Sequence, residues 1–317
     1  METRIVFMGT PEFALPTLEL LIERYPVVGV VTQPDRPAGR GRHVEMSPVK
    51  EMALAEGIPV FQPKRLRDAE AVEHIRAWAP DVAIVAAYGQ ILSSDVLETP
   101  PFGVLNVHAS LLPRWRGAAP IQGALLAGDD VTGVTIIKLD EGLDTGPILA
   151  MRETPIGPEE TAGELEERLA HLGADLLMEV LPAYLAGTLQ PRPQPEEGVA
   201  VTRRIRKSQA RIDWSQSAEH LHNHVRAFSP SPGAYAFWDG VRVKVLRSRV
   251  VHPADPPEAE PGTVFLWDDL PVVVTGSGCL ALVHVQMAGK RPMDGDAFVR
   301  GRKDFVGAVL SSQKPGE

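Results

Sequence analysis

The chain of 317 residues has little of several features that define common protein classes. Its one cysteine, Cys279, excludes a disulfide framework within the chain, and no group of Cys and His has the spacing of zinc ligands. No apolar run approaches the length of a membrane span, and the first residues, METRIVFMGT, are too polar for a signal peptide. We therefore expect a soluble, cytoplasmic protein that requires no metal.

Basic charge is also scarce, since 32 Lys and Arg stand against 41 Asp and Glu for a net charge of −9. Taken alone, this balance argues against binding to nucleic acid, because phosphates are bound by Lys and Arg. The balance changes along the chain: residues 203–317 have a charge of +4 and residues 1–202 a charge of −13. This asymmetry fits a basic binding surface in the C-terminal part or an ordinary solvated surface, and charge alone does not choose between them.

Apolar runs alternate with helical patterns in the first part of the chain. Strands are predicted at residues 4–8, 27–32 and 81–87, and helices at residues 13–22, 49–56 and 68–78. This alternation predicts an α/β domain with a doubly wound, Rossmann-like parallel sheet. Ligands of such sheets bind beyond the carboxyl ends of the strands, where Gly9-Thr10, Tyr88-Gly89 and His108 are expected to meet.

The second part of the chain has a different pattern. One or two helices are predicted over residues 161–185, with a capping box at Thr161 and Glu164. Residues 187–202 are rich in Pro, Gly and Glu and indicate a linker or an extended connection. A helix at 217–226 is followed by short β runs, at 234–238, 241–246, 262–266, 272–275 and 279–287, which favour a small β-barrel. We predict an N-terminal domain at 1–187, a linker at 188–207 and a C-terminal domain at 208–317.

The segment Val104-Leu-Asn-Val-His108 contains the strongest candidates for catalysis. Side chains alternate along a strand, so Asn106 and His108 share one face, and Asp144 follows on a later loop. The amide of Asn106 can stabilise an oxyanion, His108 titrates near neutrality, and Asp144 can orient the imidazole or accept a proton. Taken singly, these residues could also be a polar pair at a strand end and an Asx-type turn.

Several motifs resemble those of the folate-dependent formyltransferases. Asn106-x-His108 is followed by Ser110-Leu111-Leu112-Pro113 and then by Asp144-Thr145-Gly146, in the order found in that family. The segments at 32–42, 114–121, 210–214 and 226–230 are similar to the members that act on methionyl-tRNA. The resemblance implies transfer of a formyl group from 10-formyltetrahydrofolate to the α-amino group of methionyl initiator tRNA. It also implies an OB-like C-terminal barrel, and we expect a monomer.

The resemblance also implies site residues. Asn106, a protonated His108 and Asp144 would be catalytic. The folate is expected to contact residues of three loops, namely Tyr88, Gly89, Gln90, Ile91, Leu92, Ser110, Leu111, Leu112, Pro113 and Asp140, although Asp140 also fits a simple turn. Contacts to tRNA are expected from basic residues that could otherwise be plain surface, namely Arg36, Arg40, Arg42, Arg203, Arg204, Arg206, Lys207, Lys290 and Arg302. At 203–204 the chain has Arg-Arg where the family pattern has Tyr-Ala.

Two alternatives share parts of this pattern. Formyl transfer to a small amine, such as glycinamide ribonucleotide or an amino sugar nucleotide, would use the same three catalytic residues. The Arg-rich loop at 36–42 and the additional C-terminal domain argue against it. A tRNA-binding protein with an inactive formyltransferase-like domain is the second alternative, and the intact Asn106, His108 and Asp144 argue against that one.

Overall fold

The structure, a computed structural model, describes residues 2–38 and 43–314. The chain divides into two units. The first unit comprises Met1–Pro120, Val131–Pro155 and Glu166–Arg203, and the second comprises Ile121–Asp130, Ile156–Leu165 and Arg204–Glu317. Two short segments from the first half of the sequence therefore belong to the second unit.

The chain up to Thr202 alternates strands and helices, with short strand pairs between them. Its strands are β1 (Ile5–Gly9), β2 (Val27–Val31), β3 (Arg36–Ala38), β4 (His43–Glu45), β5 (Val60–Phe61), β6 (Val82–Ala86), β7 (Val104–His108), β8 (Arg116–Gly117), β9 (Val131–Lys138), β10 (Ile148–Pro155) and β11 (Val201–Thr202). Its helices are α1 (Leu15–Arg24), α2 (Pro48–Ala55), α3 (Ala69–Ala77), α4 (Ser94–Glu98), α5 (Pro120–Ala127) and α6 (Ala162–Leu185).

In the described part of the first unit, seven strands form one sheet in the order β10-β9-β7-β6-β1-β2-β5. The five strands from β7 to β5 are parallel to their neighbours, which confirms the parallel-dominated α/β sheet. The sheet is mixed, however, because β9 pairs antiparallel with β7 and β10 antiparallel with β9. Strands β1, β6 and β7 are buried along their whole length, as expected for apolar strands covered on both faces.

Hydrogen bonds join the loops that follow β1, β2 and β6, so the predicted approach of Thr10 to Tyr88 is confirmed. Thr10, just after β1, donates from Oγ1 to the carbonyl oxygen of Tyr88 at 3.2 Å. Gln33, just after β2, donates from Nε2 to the same carbonyl at 3.1 Å. Asn106 pairs in register with Val85 of β6, so β7 lies directly beside the strand that leads into the Tyr88 loop.

Side-chain caps fix the beginnings of two helices. At α6 the Thr161 backbone N–H donates to Glu164 Oε2 at 2.9 Å and the Glu164 N–H to Thr161 Oγ1 at 3.4 Å, which confirms the predicted capping box. Ser217 accepts from the His220 N–H at 3.2 Å and caps the next helix, α7 (Ala218–Phe228).

The second unit contains an antiparallel sheet. Its strands are β12 (Ala234–Trp238), β13 (Val241–Val251), β14 (Val264–Trp267), β15 (Leu270–Val274), β16 (Cys279–Met287) and β17 (Met293–Asp294), followed by helix α8 (Gly295–Gly301). The strand order is β12-β13-β16-β15-β14, with β17 paired to β16. Trp238, Phe298 and Phe305 pack edge to face with centroids 4.9 to 6.2 Å apart and form an aromatic part of its core.

Within residues 2–38 and 43–314, no helix combines the length and the apolar character needed to cross a membrane.

Candidate active site

Asn106, His108 and Asp144 lie together at the end of β7. Asn106 Nδ2 donates to Asp144 Oδ1 at 3.5 Å, and His108 Nδ1 lies 3.7 Å from Asp144 Oδ2. The side chains of Asn106 and His108 are 8% and 6% exposed, so both are largely shielded from water. The structure thus brings together the three residues that the sequence singles out as one group.

The Asp144 loop holds its carboxylate in a defined position. Asp144 has a φ of 51°, in the left-handed region that is uncommon for residues with a side chain, although aspartate tolerates it better than most. The Gly117 N–H donates to Asp144 Oδ2 at 2.9 Å. Two residues on, a Cβ at Gly146 would lie 1.9 Å from the Lys138 carbonyl oxygen, so only glycine allows the loop to pass so close to β9.

Both ring nitrogens of His108 face oxygen atoms. Nε2 lies 3.1 Å from the Trp115 carbonyl oxygen, and Nδ1 faces Asp144 at 3.7 Å. A carbonyl oxygen only accepts, so Nε2 carries a proton in this arrangement. Trp115 itself has a φ of 62°, and the Arg114 guanidinium stacks on its ring at 4.4 Å. The loop after β7 therefore presents a strained backbone directly to the imidazole.

The Ser110–Pro113 segment is held from inside the sheet. Ser110 Oγ donates to the Arg114 carbonyl at 2.7 Å. Thr135 on β9 donates to the Ser110 carbonyl at 2.6 Å and accepts from the Leu112 N–H at 3.1 Å. Ser110, Leu112 and Pro113 are buried, and Leu111 is half-buried. The expected folate contacts of this segment stay predictions.

The wall expected to receive the pterin ring divides into buried and exposed residues. The Tyr88 ring is buried in the core, where burial raises the pKa of its hydroxyl, and the hydroxyl has no hydrogen-bond partner within the described residues. Gln90 bonds to Leu66 N–H and Pro63 O, and Leu92 packs against the core. Gly89 is exposed with a φ of 82°, and Ile91 is 87% exposed. The surface of this loop is therefore formed by Gly89 and Ile91.

The loop between β9 and β10 contacts the same region. Asp140 Oδ1 accepts from the Gly142 N–H at 3.0 Å and from Thr145 Oγ1 at 2.7 Å, which is the turn that the sequence allows. Glu141 accepts from Ser94 Oγ at 2.5 Å and so joins this loop to the segment after Ile91. A folate contact of Asp140 remains a prediction.

The basic residues expected to contact tRNA lie at the surface where they are described. Exposed positions are Arg36, Arg203, Arg204, Arg206, Lys207, Lys290 and Arg302. Arg36 Nη2 donates to Gln33 Oε1 at 3.2 Å, and the Arg302 guanidinium lies 5.8 Å from the centroid of Trp238. Arg40 and Arg42 lie outside the described residues.

Sequence reasoning missed Thr135 and Gln194. Thr135 lies in an apolar strand, where a single hydroxyl gives no functional signal. Gln194 lies in the segment predicted as a linker, and its side chain bonds to Arg116, Asp144 and Gly146. The lack of helical periodicity in 187–202 indicated an extended segment, but a pattern of residues alone does not say what an extended segment contacts.

The sequence is similar to known proteins along almost its whole length. The family model described as formyl transferase matches residues 3–181, and the model described as formyl transferase, C-terminal domain, matches residues 204–303. The chain belongs to the formyl transferase family. It is 50% identical to the methionyl-tRNA formyltransferase of Symbiobacterium thermophilum over 97% of this chain and 95% of the relative. It is also 50% identical to that of Myxococcus xanthus, with 95% of each chain covered.

Solved structures share the fold. WlaRD, a sugar 3N-formyl transferase solved with dTDP and 5-N-formyl-THF, matches with a TM-score of 0.65 at 16% identity, covering 92% of this chain and all (100%) of that one. HypX from Aquifex aeolicus in complex with tetrahydrofolic acid matches with a TM-score of 0.63 at 18% identity. That match covers 96% of this chain, which spans only 48% of HypX.

Proposed function

We propose that the chain transfers the formyl group of 10-formyltetrahydrofolate to the α-amino group of methionine esterified to initiator tRNA. The observation that carries this proposal is the grouping of Asn106, His108 and Asp144 at the end of β7. The relatives of about 50% identity, which align along almost the whole chain, are named methionyl-tRNA formyltransferase and support the choice of acceptor.

The reaction is acyl transfer from one nitrogen to another. The α-amine attacks the formyl carbon, a new C–N bond forms, and negative charge develops on the formyl oxygen. Asn106 Nδ2 and the protonated His108 ring donate hydrogen bonds to that oxygen. Asp144 takes the proton of the attacking amine, directly or through water. The bond to N10 of the folate then breaks, and N10 leaves with a proton.

The Trp115 carbonyl occupies the N–H group of His108 that the substrate would need. Nε2 of His108 now bonds to the Trp115 carbonyl at 3.1 Å, whereas a formyl oxygen needs a donor of that kind. We infer that the formyl oxygen takes the place of the Trp115 carbonyl when the donor binds. The Asn106 amide has two N–H groups, and because one of them faces Asp144 the other can serve the same oxygen.

A folate site beside this group is supported by the loops around it. Ile91 and Leu143 are exposed apolar side chains at 87% and 57% exposure. Their loops are joined by the hydrogen bond between Ser94 and Glu141. Exposed apolar side chains suit the faces of a flat heterocycle such as a pterin. We therefore place the pterin against the 88–92 loop and the 110–113 segment.

The remaining expectations concern the second unit and the setting. Backbone hydrogen bonds join residues 308–311 to Phe237 on one edge strand and to Val264 on the other, which supports an OB-like barrel. Exposed Lys290 and Arg302 of that unit support contacts with tRNA phosphates. We further propose that the protein acts as a monomer in the cytoplasm, where charged initiator tRNA is used.

A comparison of acceptors tests the proposal. Purified chain is incubated with 10-formyltetrahydrofolate and, separately, methionyl initiator tRNA, glycinamide ribonucleotide and an amino sugar nucleotide, and the formylated product is identified by mass spectrometry. Transfer to the tRNA alone is expected. Transfer to a small amine and not to the tRNA would favour the alternative enzyme, and absence of transfer to any acceptor would favour an inactive scaffold.

A further inference from the structure

Gln194 connects the two loops that surround Asp144. Its Nε2 donates to the carbonyl oxygens of Asp144 at 2.7 Å and of Gly146 at 2.8 Å. Its Oε1 accepts from Arg116 Nε at 3.1 Å and from Arg116 Nη2 at 2.7 Å. Both ends of the Gln194 amide are therefore hydrogen-bonded. Its N–H groups bond to the Asp144 loop, and its oxygen bonds to the loop that follows β7.

The segment that contains Gln194 is fixed on either side. Arg192 forms an antiparallel bridge with Ile148, the first residue of β10. Further on, β11 pairs parallel with β8, and Thr202 Oγ1 donates to the Arg116 carbonyl at 3.1 Å. Residues 192–202 thus belong to the structure of the catalytic unit, and Gln194 does not depend on a mobile tether for its position.

Both the side chain and the backbone of Asp144 are held by hydrogen bonds. The Gly117 N–H, directly after Arg116, fixes the carboxylate at 2.9 Å, while Gln194 fixes the backbone carbonyl of the same residue. A φ of 51° is uncommon for a residue with a side chain, and these two contacts stabilise it at Asp144. Without Gln194 the backbone can relax and carry the carboxylate away from His108.

We propose that Gln194 is a positioning residue that sets the placement of the Asp144 carboxylate against His108 and Asn106. It touches none of the reacting atoms and acts through Asp144. The kinetic part of this inference rests on the proposed function. Displacement of a catalytic group by about 1 Å can lower a rate by about 100-fold, so the expected effect is large for a residue outside the catalytic group.

Two substitutions separate its contacts. Gln194→Ala removes all four hydrogen bonds. Gln194→Glu keeps an acceptor for Arg116 but places a carboxylate oxygen against the carbonyls of Asp144 and Gly146, which cannot donate to it. Gln190→Ala is the matched control, because Gln190 lies in the same segment and its amide bonds only locally, to the Gly187 carbonyl at 3.0 Å.

Steady-state kinetics with methionyl initiator tRNA provide the first readout. Both Gln194 variants are expected to lower kcat by about 10- to 100-fold with nearly unchanged KM for either substrate, and Gln190→Ala should match wild type. In an Asp144→Asn background the Gln194→Ala effect should largely disappear, because the residue acts through Asp144. Unchanged kcat in either Gln194 variant, or full additivity with Asp144→Asn, would overturn the inference.

A second readout needs no acceptor. The NMR signals of the His108 ring report the position of the carboxylate beside it, so they should shift in Gln194→Ala and in Asp144→Asn but not in Gln190→Ala. His108 signals unchanged in Gln194→Ala would overturn the positioning role. Absence of formyl transfer in wild type would contradict only the proposed function, since this readout would still decide the role of Gln194.

Discussion

At the scale of single residues, the strongest expectation concerns the three side chains at the end of β7. Three single substitutions, Asn106→Ala, His108→Ala and Asp144→Ala, should each lower turnover by about 100- to 1,000-fold, because each removes a contact that is strongest in the transition state. Initial rates at saturating substrates measure the effect. The three act on one reacting centre, so a double variant should lose far less than the product of the single losses.

Folding is the control for these variants. The three side chains contribute little to the apolar core, so circular dichroism and thermal unfolding should stay close to wild type. A His108→Ala variant that keeps near-normal turnover would contradict the assignment of the site.

A second residue-scale prediction concerns the buried threonines of β9. Thr135→Val removes the hydroxyl that bonds to Ser110 O and Leu112 N–H, so both backbone groups lose a buried partner. The free energy of unfolding should fall by about 1–3 kcal/mol. Thr132 is equally buried on the same strand, and its hydroxyl has no hydrogen-bond partner within the described residues. Thr132→Val should therefore be neutral or stabilising.

Urea unfolding of both variants measures this difference. Equal losses in Thr135→Val and Thr132→Val would mean that the hydroxyl of Thr135 contributes nothing specific to the Ser110–Pro113 segment.

At the scale of elements, α7 contains a buried titrating group. Burial, the largest cause, lowers the pKa of His224 from 6.5 to about 4, and its ring packs 4.6 Å from Phe228. The unfolded chain binds a proton below about pH 6.5 while the folded chain does not, so stability should fall as the pH drops from 6.5 towards 4. The loss should reach up to about 3 kcal/mol.

Urea midpoints between pH 7 and pH 4.5 test this dependence. His224→Gln should flatten the fall because glutamine does not titrate, whereas His252→Gln, at an exposed position outside this helix, should leave it in place. An equally steep fall in His224→Gln would assign the pH dependence to other groups.

The elements also show how far the sequence determines the fold. The capping box at Thr161 and the strand at 234–238 were predictable because their signals are local: a side-chain pair three residues apart and a β run between turns. Strands β9 and β10 were not predicted, and their antiparallel direction has no sequence signal, since an apolar run looks the same in either direction. Helices α5 and α8 were also missed. They are short, and α5 is apolar on most sides, which removes the helical period.

The candidate site divides in the same way. Asn106 and His108 lie two residues apart on a strand, so their shared face can be predicted from the sequence. The approach of Asp144 was inferred from motif order alone, and its distances come only from the folded chain. The bonds of Gln194 to the two loops depend on a chain path from residue 144 to residue 194, for which a sequence pattern has no signal.

At the scale of the whole molecule, the placement of positive charges matters more for tRNA binding than the net charge does. A chain of −9 that binds a polyanion must use local groups of cations, and the slope of affinity against salt reports the number of phosphate contacts. The double variant Lys290→Ala, Arg302→Ala should weaken tRNA binding and reduce this slope by about 2. Arg300→Ala is the matched control, because Arg300 is also exposed but pairs with Asp296 at 2.7 Å.

Full-length variants are preferable to truncation for this test. Residues 121–130 and 156–165 belong to the second unit, so a chain cut at residue 207 would retain them without the rest of that unit. If the slope of tRNA affinity against salt is unchanged in the double variant, Lys290 and Arg302 do not contact tRNA and are ordinary solvated residues.

The most direct test is the rate of formyl transfer from 10-formyltetrahydrofolate to methionyl initiator tRNA, measured beside methionyl elongator tRNA at equal concentrations. Both acceptors carry the same amine, so any difference reports recognition of the tRNA. Formylation of the initiator form at a rate at least about 100-fold above the elongator form is expected. Equal rates for the two tRNAs, or no formylmethionine on either, would contradict the proposed function.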